Sequence, residues 1–71
     1  LNKEIANPRQ ICMYLSRKYT NTSLQAIGKI MGNRDHTTVM HGSDKIADLI
    51  NRDEHLKSNI DILIKKLNPP T

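Results

Sequence analysis

Four consecutive residues carry short hydrogen-bonding side chains at a predicted helix start: Asp35, His36, Thr37 and Thr38. The two threonines lower helix propensity by about 1 kcal/mol relative to two alanines. A requirement other than helix stability therefore explains their presence. A helix tip with carboxylate, imidazole and hydroxyl groups can contact the donors, acceptors and methyl groups of base edges in the major groove of duplex DNA.

A predicted turn positions this helix tip. Gly32 can adopt the left-handed conformation that ends the preceding helix, and the two residues after it fill a tight turn. Asp35 is a good N-cap, because its carboxylate can accept the backbone N–H of Thr37 or Thr38 at the positive end of the helix dipole. The sequence thus predicts a helix, a short turn and a second helix with a polar first turn.

The chain as a whole predicts an all-α, four-helix domain with a central helix-turn-helix. No stretch alternates as a strand does, and apolar residues recur at helical spacing. The predicted helices span about residues 8–19, 23–31, 35–51 and 54–67. The residues expected in the core are Ile11, Cys12, Leu15, Tyr19, Leu24, Ile27, Ile30, Met31, Val39, Gly42, Ser43, Ile46, Leu49, Ile50, Leu56, Ile60, Leu63 and Leu67.

The length of 71 residues predicts one small domain, and a single cysteine excludes a disulfide framework within it. We expect a linker or the end of a preceding region at 1–7, the helix-turn-helix domain at 8–68 and a tail at 69–71. The first residue is Leu1 rather than Met, which indicates part of a longer protein. The sequence has no signal-peptide pattern and no apolar run of about 18 residues, so we expect a cytoplasmic location and no membrane partner.

Two features of the predicted helices favour a helix-turn-helix that enters DNA end-on. Gly28 lies inside the second helix, where it costs about 1 kcal/mol relative to Ala, and we expect a crossing helix to pass close to it. Thr37, His41, Asp44 and Asp48 lie on the third helix opposite its apolar face. Because phosphates would repel the two aspartates, only the first turn of this helix should enter a groove.

The basic composition leaves two interpretations open. Eleven basic and seven acidic residues give a formal charge of +4, which favours an anionic partner, although a solvated basic surface has the same composition. Arg9 and Gln10, at the start of the first helix, can contact phosphate or face solvent.

Neither a metal site nor an enzyme is predicted. His36 and His41 would lie about 140° apart on a helix, unlike the i, i+4 pair of a zinc motif. Cys12 is expected in the core, and no Ser or Cys stands in a recognisable nucleophile–base arrangement. No Gly-rich phosphate loop occurs, so no cofactor is expected.

Three motifs resemble the C-terminal domain of the bacterial replication initiator DnaA. They are Asn-Pro-Arg-Gln at 7–10, Ser-Leu-Gln-Ala-Ile-Gly at 23–28, and Gly-Asn-Arg-Asp-His-Thr-Thr-Val-Met-His-Gly at 32–42, the last followed by Lys45-Ile46. The resemblance covers about residues 7 to 67. It implies a domain that binds the DnaA box, a short asymmetric duplex of the TTATNCACA type, as one monomer per box.

The resemblance also implies roles for individual residues. In that family the helix-turn-helix enters the major groove, and a basic loop ahead of the first domain helix enters the minor groove. By matching position, Asp35, His36 and Thr37 would contact bases. The residues that would contact phosphates are Arg9, Gln10, Arg17, Asn21, Thr22, Ser23, Thr38 and Lys45.

Two positions depart from the family pattern. Gln25 stands where the family often has a proline that touches a thymine methyl, and its amide would contact a base or a phosphate instead. Only Lys3 is basic near the position of the minor-groove arginine, so this contact belongs to Lys3, is lost, or lies upstream. The family's ATPase lies in another domain, and no Walker loop occurs here, so no ATP site is implied.

Two other functions remain open at this point. A transcription regulator or a mobile-element protein can use the same helix-turn-helix on a different DNA sequence. A protein-interaction bundle that docks a partner on the tip of the third helix is the alternative from another class. Both kinds of binding can coexist, because in the family regulators compete with DNA for this surface.

Overall fold

A computed structural model describes residues 5–68, which form four α-helices and no strand. The helices are α1 (Pro8–Tyr19), α2 (Leu24–Ile30), α3 (His36–Arg52) and α4 (Glu54–Leu67). The prediction of a small all-α domain is confirmed, and α2 and α3 are the two helices of the helix-turn-helix. Within residues 5–68, no helix has the length and apolar character needed to cross a membrane.

Side-chain caps begin three of the four helices. Asn7 precedes α1, Ser23 precedes α2 and Asp53 precedes α4, and each side-chain oxygen accepts a backbone N–H at 2.9 to 3.1 Å. Pro8 occupies the first position of α1, where no N–H is needed. The helices α2 and α3 begin one residue later than predicted, because Ser23 and Asp35 precede them as non-helical cap residues.

The centre of the domain is α3, which packs on each of the other helices. Its predicted apolar face is confirmed, since Val39, Gly42, Ser43, Ile46 and Leu49 are buried and Ile50 is half-buried. Two buried clusters form along this face. The first cluster contains Met13, Ile27 and Val39, and the second contains Ile46, Leu49 and Ile60.

The core face predicted for α1 is wrong at two positions. Cys12 is exposed and Tyr19 is 53% exposed, whereas Met13 is buried at 2%. Met13 belongs to the first cluster, while Ile11 and Leu15 pack against the second. A helix that contacts two clusters buries two adjacent faces, and a single i, i+4 stripe does not describe such a surface.

Three further residues expected in the core are exposed, namely Ile30 (77%), Leu63 (43%) and Leu67 (74%). The helix α2 has only seven residues, so only one of its faces reaches α3, and Ile30 lies off that face. In α4 the buried row runs from Ile60 to the half-buried Ile64, which packs against the second cluster. An i, i+4 row therefore forms the contact, and the predicted continuation through Leu63 and Leu67 is wrong.

The lack of a side chain at position 28 is needed mainly for the turn backbone, and less for the crossing helix that the sequence predicts. A Cβ at this position would lie 2.0 Å from the carbonyl oxygen of Arg34, but 3.6 Å from Cγ2 of Val39 on α3. The backbone N–H of Arg34 donates to the Gly28 carbonyl at 2.8 Å. The turn therefore folds back onto α2, and a glycine leaves the space that this backbone contact needs.

At Gly42 of α3, side chains of α1 lie close to the backbone. A Cβ there would lie 2.9 Å from Sδ of Met13 and 3.2 Å from Cγ of Gln10, both on α1. These neighbours are side-chain atoms, which can move, whereas the neighbour of Gly28 is backbone.

We expect Gly28→Ala to lower the free energy of unfolding by about 2–3 kcal/mol, because the new methyl group would displace the turn backbone. Gly42→Ala is the matched control. It should stay within about 1 kcal/mol of the wild type, because Met13 can shift and Ala favours a helix. Urea denaturation followed by circular dichroism measures both changes, and equal stabilities of the two variants would contradict the role of Gly28.

Candidate nucleic-acid interface

The turn between α2 and α3 has a defined backbone conformation. Gly32 has φ of +90° and Asn33 has φ of +58°, so both are left-handed. The prediction for Gly32 is confirmed, and Asn33 is a residue type that tolerates this conformation. Arg34 is half-buried, and its Nε donates to the carbonyl of Met31 at 2.9 Å. Arg34 thus closes the turn with both backbone and side chain, a role that the sequence analysis missed.

The polar residues after the turn form the exposed tip of α3. The side chains of Asp35 and His36 are 66% and 52% exposed, Thr37 is half-buried and Thr38 is exposed. The structure therefore brings these four residues together outside the hydrophobic core. A helix start of this kind offers backbone N–H groups to anions, and carboxylate, imidazole and hydroxyl groups to base edges.

The capping bond predicted for Asp35 is not formed. Asp35 holds the N-cap position with an extended backbone, but among residues 5–68 its carboxylate closes no cap with a backbone N–H. Its Oδ1 lies 3.3 Å from Nδ1 of His36. The hydroxyl of Thr37 lowers the pKa of Asp35 most; desolvation opposes this shift, and His36 and the first N–H groups of the helix add smaller lowering effects. The carboxylate therefore favours its charged form, in which it is a hydrogen-bond acceptor.

The two residues at the start of α1 that are predicted to contact phosphate differ in exposure. Arg9 is exposed, in a position from which its guanidinium can reach an anion. The side chain of Gln10 packs over Gly42 of α3, and its Oε1 is buried without a partner within residues 5–68. A phosphate requires a donor, so only Nε2 of Gln10 has the right chemistry to contact one.

The loop between α1 and α2 places three more of these residues side by side. Asn21 and Ser23 are exposed, and Thr22 is half-buried. The backbone N–H of Thr22 donates to Oγ1 of Thr20 at 3.2 Å, which holds the loop close to the end of α1. The Ser23 hydroxyl accepts a backbone N–H as the cap of α2. Its own O–H remains a donor that a phosphate oxygen can accept.

The other predicted contacts are spread over the domain. Gln25 is exposed in the first turn of α2, and Lys45 is exposed on α3 beyond the tip. His41 is also exposed. Lys3, predicted for the minor groove, lies outside the described residues.

Both aspartates on the outer face of α3 are paired with arginines. Nη1 of Arg17 donates to Ser43 Oγ and to Asp44 Oδ1, each at 2.8 Å. Nη2 of Arg52 donates to Asp48 Oδ2 at 2.6 Å. Neither pair was predicted from the sequence. The i, i+4 spacing of Asp48 and Arg52 was a usable signal, whereas Arg17 and Asp44 are 27 positions apart and meet only through the packing of α1 on α3.

Within residues 5–68, no group of three or more His, Cys, Asp or Glu side chains is arranged to hold a metal ion.

Comparison with known proteins identifies relatives of the chain. Residues 2–46 match the family model described as the bacterial DnaA protein helix-turn-helix, a range that contains α1, α2, the turn and the tip of α3. The chromosomal replication initiator protein DnaA of Lachnoclostridium phytofermentans is 56% identical over 68 residues, which are 96% of this chain and 15% of that protein.

Two further relatives have the same description. The protein from Oenococcus oeni is 56% identical over 66 residues, 93% of this chain and 15% of its own length. The protein from Chloroflexus aggregans is 51% identical over 59 residues, 83% of this chain and 12% of its own length. The chain thus spans less than a sixth of each of these relatives.

We expect Thr37→Ala to raise the pKa of Asp35 toward its ordinary value of 3.8, because the Thr37 hydroxyl is the main cause of the lowering. An NMR titration of the Asp35 carboxyl carbon measures the change. Thr38→Ala is the matched control, since it removes the neighbouring hydroxyl and should leave this pKa unchanged. Equal titration curves for wild type and Thr37→Ala would refute the assignment.

The same shift predicts a pH dependence of stability. Because the pKa of Asp35 is lower in the folded than in the unfolded chain, its charged form stabilises the fold above the ordinary pKa. That contribution is lost as the pH falls through the folded-state value. Asp35→Asn should therefore flatten the acid decline of Tm between about pH 5 and pH 2. Thermal melts at several pH values measure this, and an unchanged slope would show that Asp35 does not contribute.

Proposed function

Because this chain belongs to the bacterial DnaA helix-turn-helix family, we propose that it binds duplex DNA sequence-specifically at DnaA-box-type sites of a replication origin. It would act there as the recognition domain of a replication initiator. The observation that carries the proposal is the polar start of α3 at 35–37, where Asp35 and His36 are exposed and Thr37 is half-buried, next to the closed turn. The alternative is the same module in a transcription regulator or mobile-element protein, on another DNA sequence.

In this proposal Asp35, His36 and Thr37 read bases in the major groove. A carboxylate accepts a hydrogen bond from the cytosine amino group, and a threonine offers a hydroxyl together with a methyl group that fits the thymine methyl. Imidazole can donate or accept according to its protonation and tautomer.

The third helix enters the groove end-on. Asp44 lies eight residues after the first residue of α3, which places it about 12 Å from the tip along the helix axis. The arginine partners of Asp44 and Asp48 offset their charges, so that phosphates repel this part of α3 less than the sequence suggests. The tip can therefore insert while the acidic stretch stays outside the groove.

Phosphate contacts supply most of the affinity. Most of them come from the starts of α1 and α3 and from the loop that precedes α2, and Lys45 lies further along α3. The residues proposed to hold phosphates are Arg9, Gln10, Asn21, Thr22, Ser23, Thr38 and Lys45. Each charged contact releases counterions from DNA, so binding should weaken steeply as salt rises.

Two contacts remain specific to this sequence. Gln25 stands exposed at the start of α2, where its amide can both donate and accept, and we assign it to a base or an adjacent phosphate. Lys3 is the minor-groove residue in this proposal. Its ammonium provides charge there without the planar fork of an arginine.

The proposed activity is binding alone, without catalysis or a cofactor, in the cytoplasm at the bacterial nucleoid. No membrane partner is proposed. The rest of the full-length initiator, including its ATPase domain, would correspond to the part of the relatives that this chain does not match. Regulators that compete with DNA for the tip of α3 are a second class of partner.

We expect His36→Ala to weaken binding to a cognate box by about 1–3 kcal/mol and to relax sequence preference, because it removes a base contact. Arg9→Ala should weaken cognate and scrambled duplexes by similar factors, because it removes a phosphate contact. Fluorescence anisotropy with competition by scrambled duplex measures both. His55→Ala on α4 is the control and should change neither affinity. Equal losses of His36→Ala on both duplexes would remove His36 from the base-reading residues.

We expect one domain to bind one box, because an asymmetric box offers no second half-site. Native mass spectrometry of the complex gives the stoichiometry, and hydroxyl-radical footprinting shows the symmetry of the protected backbone. A two-fold symmetric footprint would contradict the proposal. Selection of binding sites from random duplex would separate it from the alternative function, which requires an unrelated sequence.

A further inference from the structure

Arg17 joins α1 to α3 through two consecutive residues of α3. Ser43 is 2% exposed, and its hydroxyl donates to the carbonyl of Met40 at 3.0 Å. The same hydroxyl accepts a hydrogen bond from Nη1 of Arg17, and Nη1 also donates to Asp44. The nitrogen Nη1 carries two N–H groups, so each acceptor receives one. Arg17 therefore satisfies a buried hydroxyl and a carboxylate at once.

The bridge lies beside a close contact of the two helices. Gly42 packs under Met13 and Gln10 of α1, and Ser43 and Asp44 follow it directly on α3. Arg17 lies about one turn further along α1 than Met13, so α1 contacts neighbouring positions of α3 at two places.

This geometry connects the two kinds of DNA contact. The helix α1 carries the exposed Arg9 at its start, and α3 carries the tip at 35–37. A base-reading tip and a phosphate contact can act on one duplex only if the helices that carry them keep a fixed relative position.

We propose that Arg17 is a positioning residue, which through Ser43 and Asp44 holds α3 against α1 so that the tip and the start of α1 meet the same duplex in register. This inference rests on the proposed DNA binding. It departs from the phosphate contact that the family resemblance implies for Arg17.

The two roles have different salt dependences. A phosphate contact contributes about 0.9 to the slope of the logarithm of affinity against the logarithm of salt concentration. A positioning residue leaves that slope unchanged and acts on the ratio of cognate to scrambled affinity. Asp44→Asn provides a further test, because its two possible effects on binding differ in direction. Loss of a negative charge near DNA strengthens binding to every duplex, whereas loss of the bridge lowers the ratio.

The experiment measures the affinities of wild type, Arg17→Ala, Asp44→Asn and the double variant for both duplexes at several salt concentrations. We expect Arg17→Ala, which removes both hydrogen bonds, to lower the ratio by about 3- to 10-fold. Asp44→Asn should lower the ratio by less, because the Asn oxygen still accepts a hydrogen bond and only the charge is lost. The double variant should be no worse than Arg17→Ala, because residue 44 acts through Arg17. Asp48→Asn is the matched control. Its arginine partner lies on the same helix, so the ratio should not change. Circular dichroism verifies folding, and Asp44→Asn carries the test if Arg17→Ala does not fold.

Each other outcome overturns the inference. A decrease of about 0.9 in the salt slope of Arg17→Ala, with an unchanged ratio, would make Arg17 a phosphate contact. Equal tightening of Asp44→Asn on both duplexes would show that its charge alone matters. If wild type and Arg17→Ala both prefer the box over the scrambled duplex by the same ratio, the positioning role is refuted while the proposed DNA binding stands. A wild type without preference would refute the proposed function as well.

Discussion

The backbone contact between Gly28 and Arg34 is the constraint on which the rest of the interface depends. The Arg34 N–H donates to the Gly28 carbonyl at 2.8 Å, and the Arg34 carbonyl oxygen occupies the space that a side chain at position 28 would need. The left-handed residues Gly32 and Asn33 reverse the chain sharply enough to make this contact. Because the turn is fastened to α2 itself, the direction in which α3 leaves is fixed by backbone geometry and not by a flexible linker. The proposed base contacts need that rigidity, since such contacts depend on position to a fraction of an ångström.

The helix α3 is long enough to meet two requirements at once, a buried apolar face and a polar start. Its apolar face joins both core clusters through Val39, Ile46 and Leu49, while its first turn stays outside the core. The burial of this face stabilises the whole helix, so the first turn can carry threonines that lower helix propensity. The residues proposed to contact bases are therefore separate from those that hold the fold, and substitutions at the tip can change recognition while the core remains intact.

The charged residues are also divided between pairs within the fold and residues available for DNA. The chain has an excess of basic residues, yet two of its arginines pair with the aspartates of α3. These pairs reduce the local repulsion of phosphates by Asp44 and Asp48, but they engage guanidinium groups that composition alone would assign to DNA. Arg17 joins α1 to α3 through Ser43 and Asp44, and both of these helices carry proposed DNA contacts.

The sequence by itself determined the features that depend on neighbours a few residues apart. The caps Asn7 and Ser23, the left-handed Gly32, the four helices and the apolar face of α3 all follow from such local patterns. Tertiary structure decided which faces of the other helices are buried, with Met13 inside and Cys12 outside. It also decided what lies against Gly28, and that Arg17 meets Asp44 across 27 positions. The physical reason is that helical periodicity defines faces along one helix, whereas the contacts between faces depend on how the helices cross, which no single segment encodes.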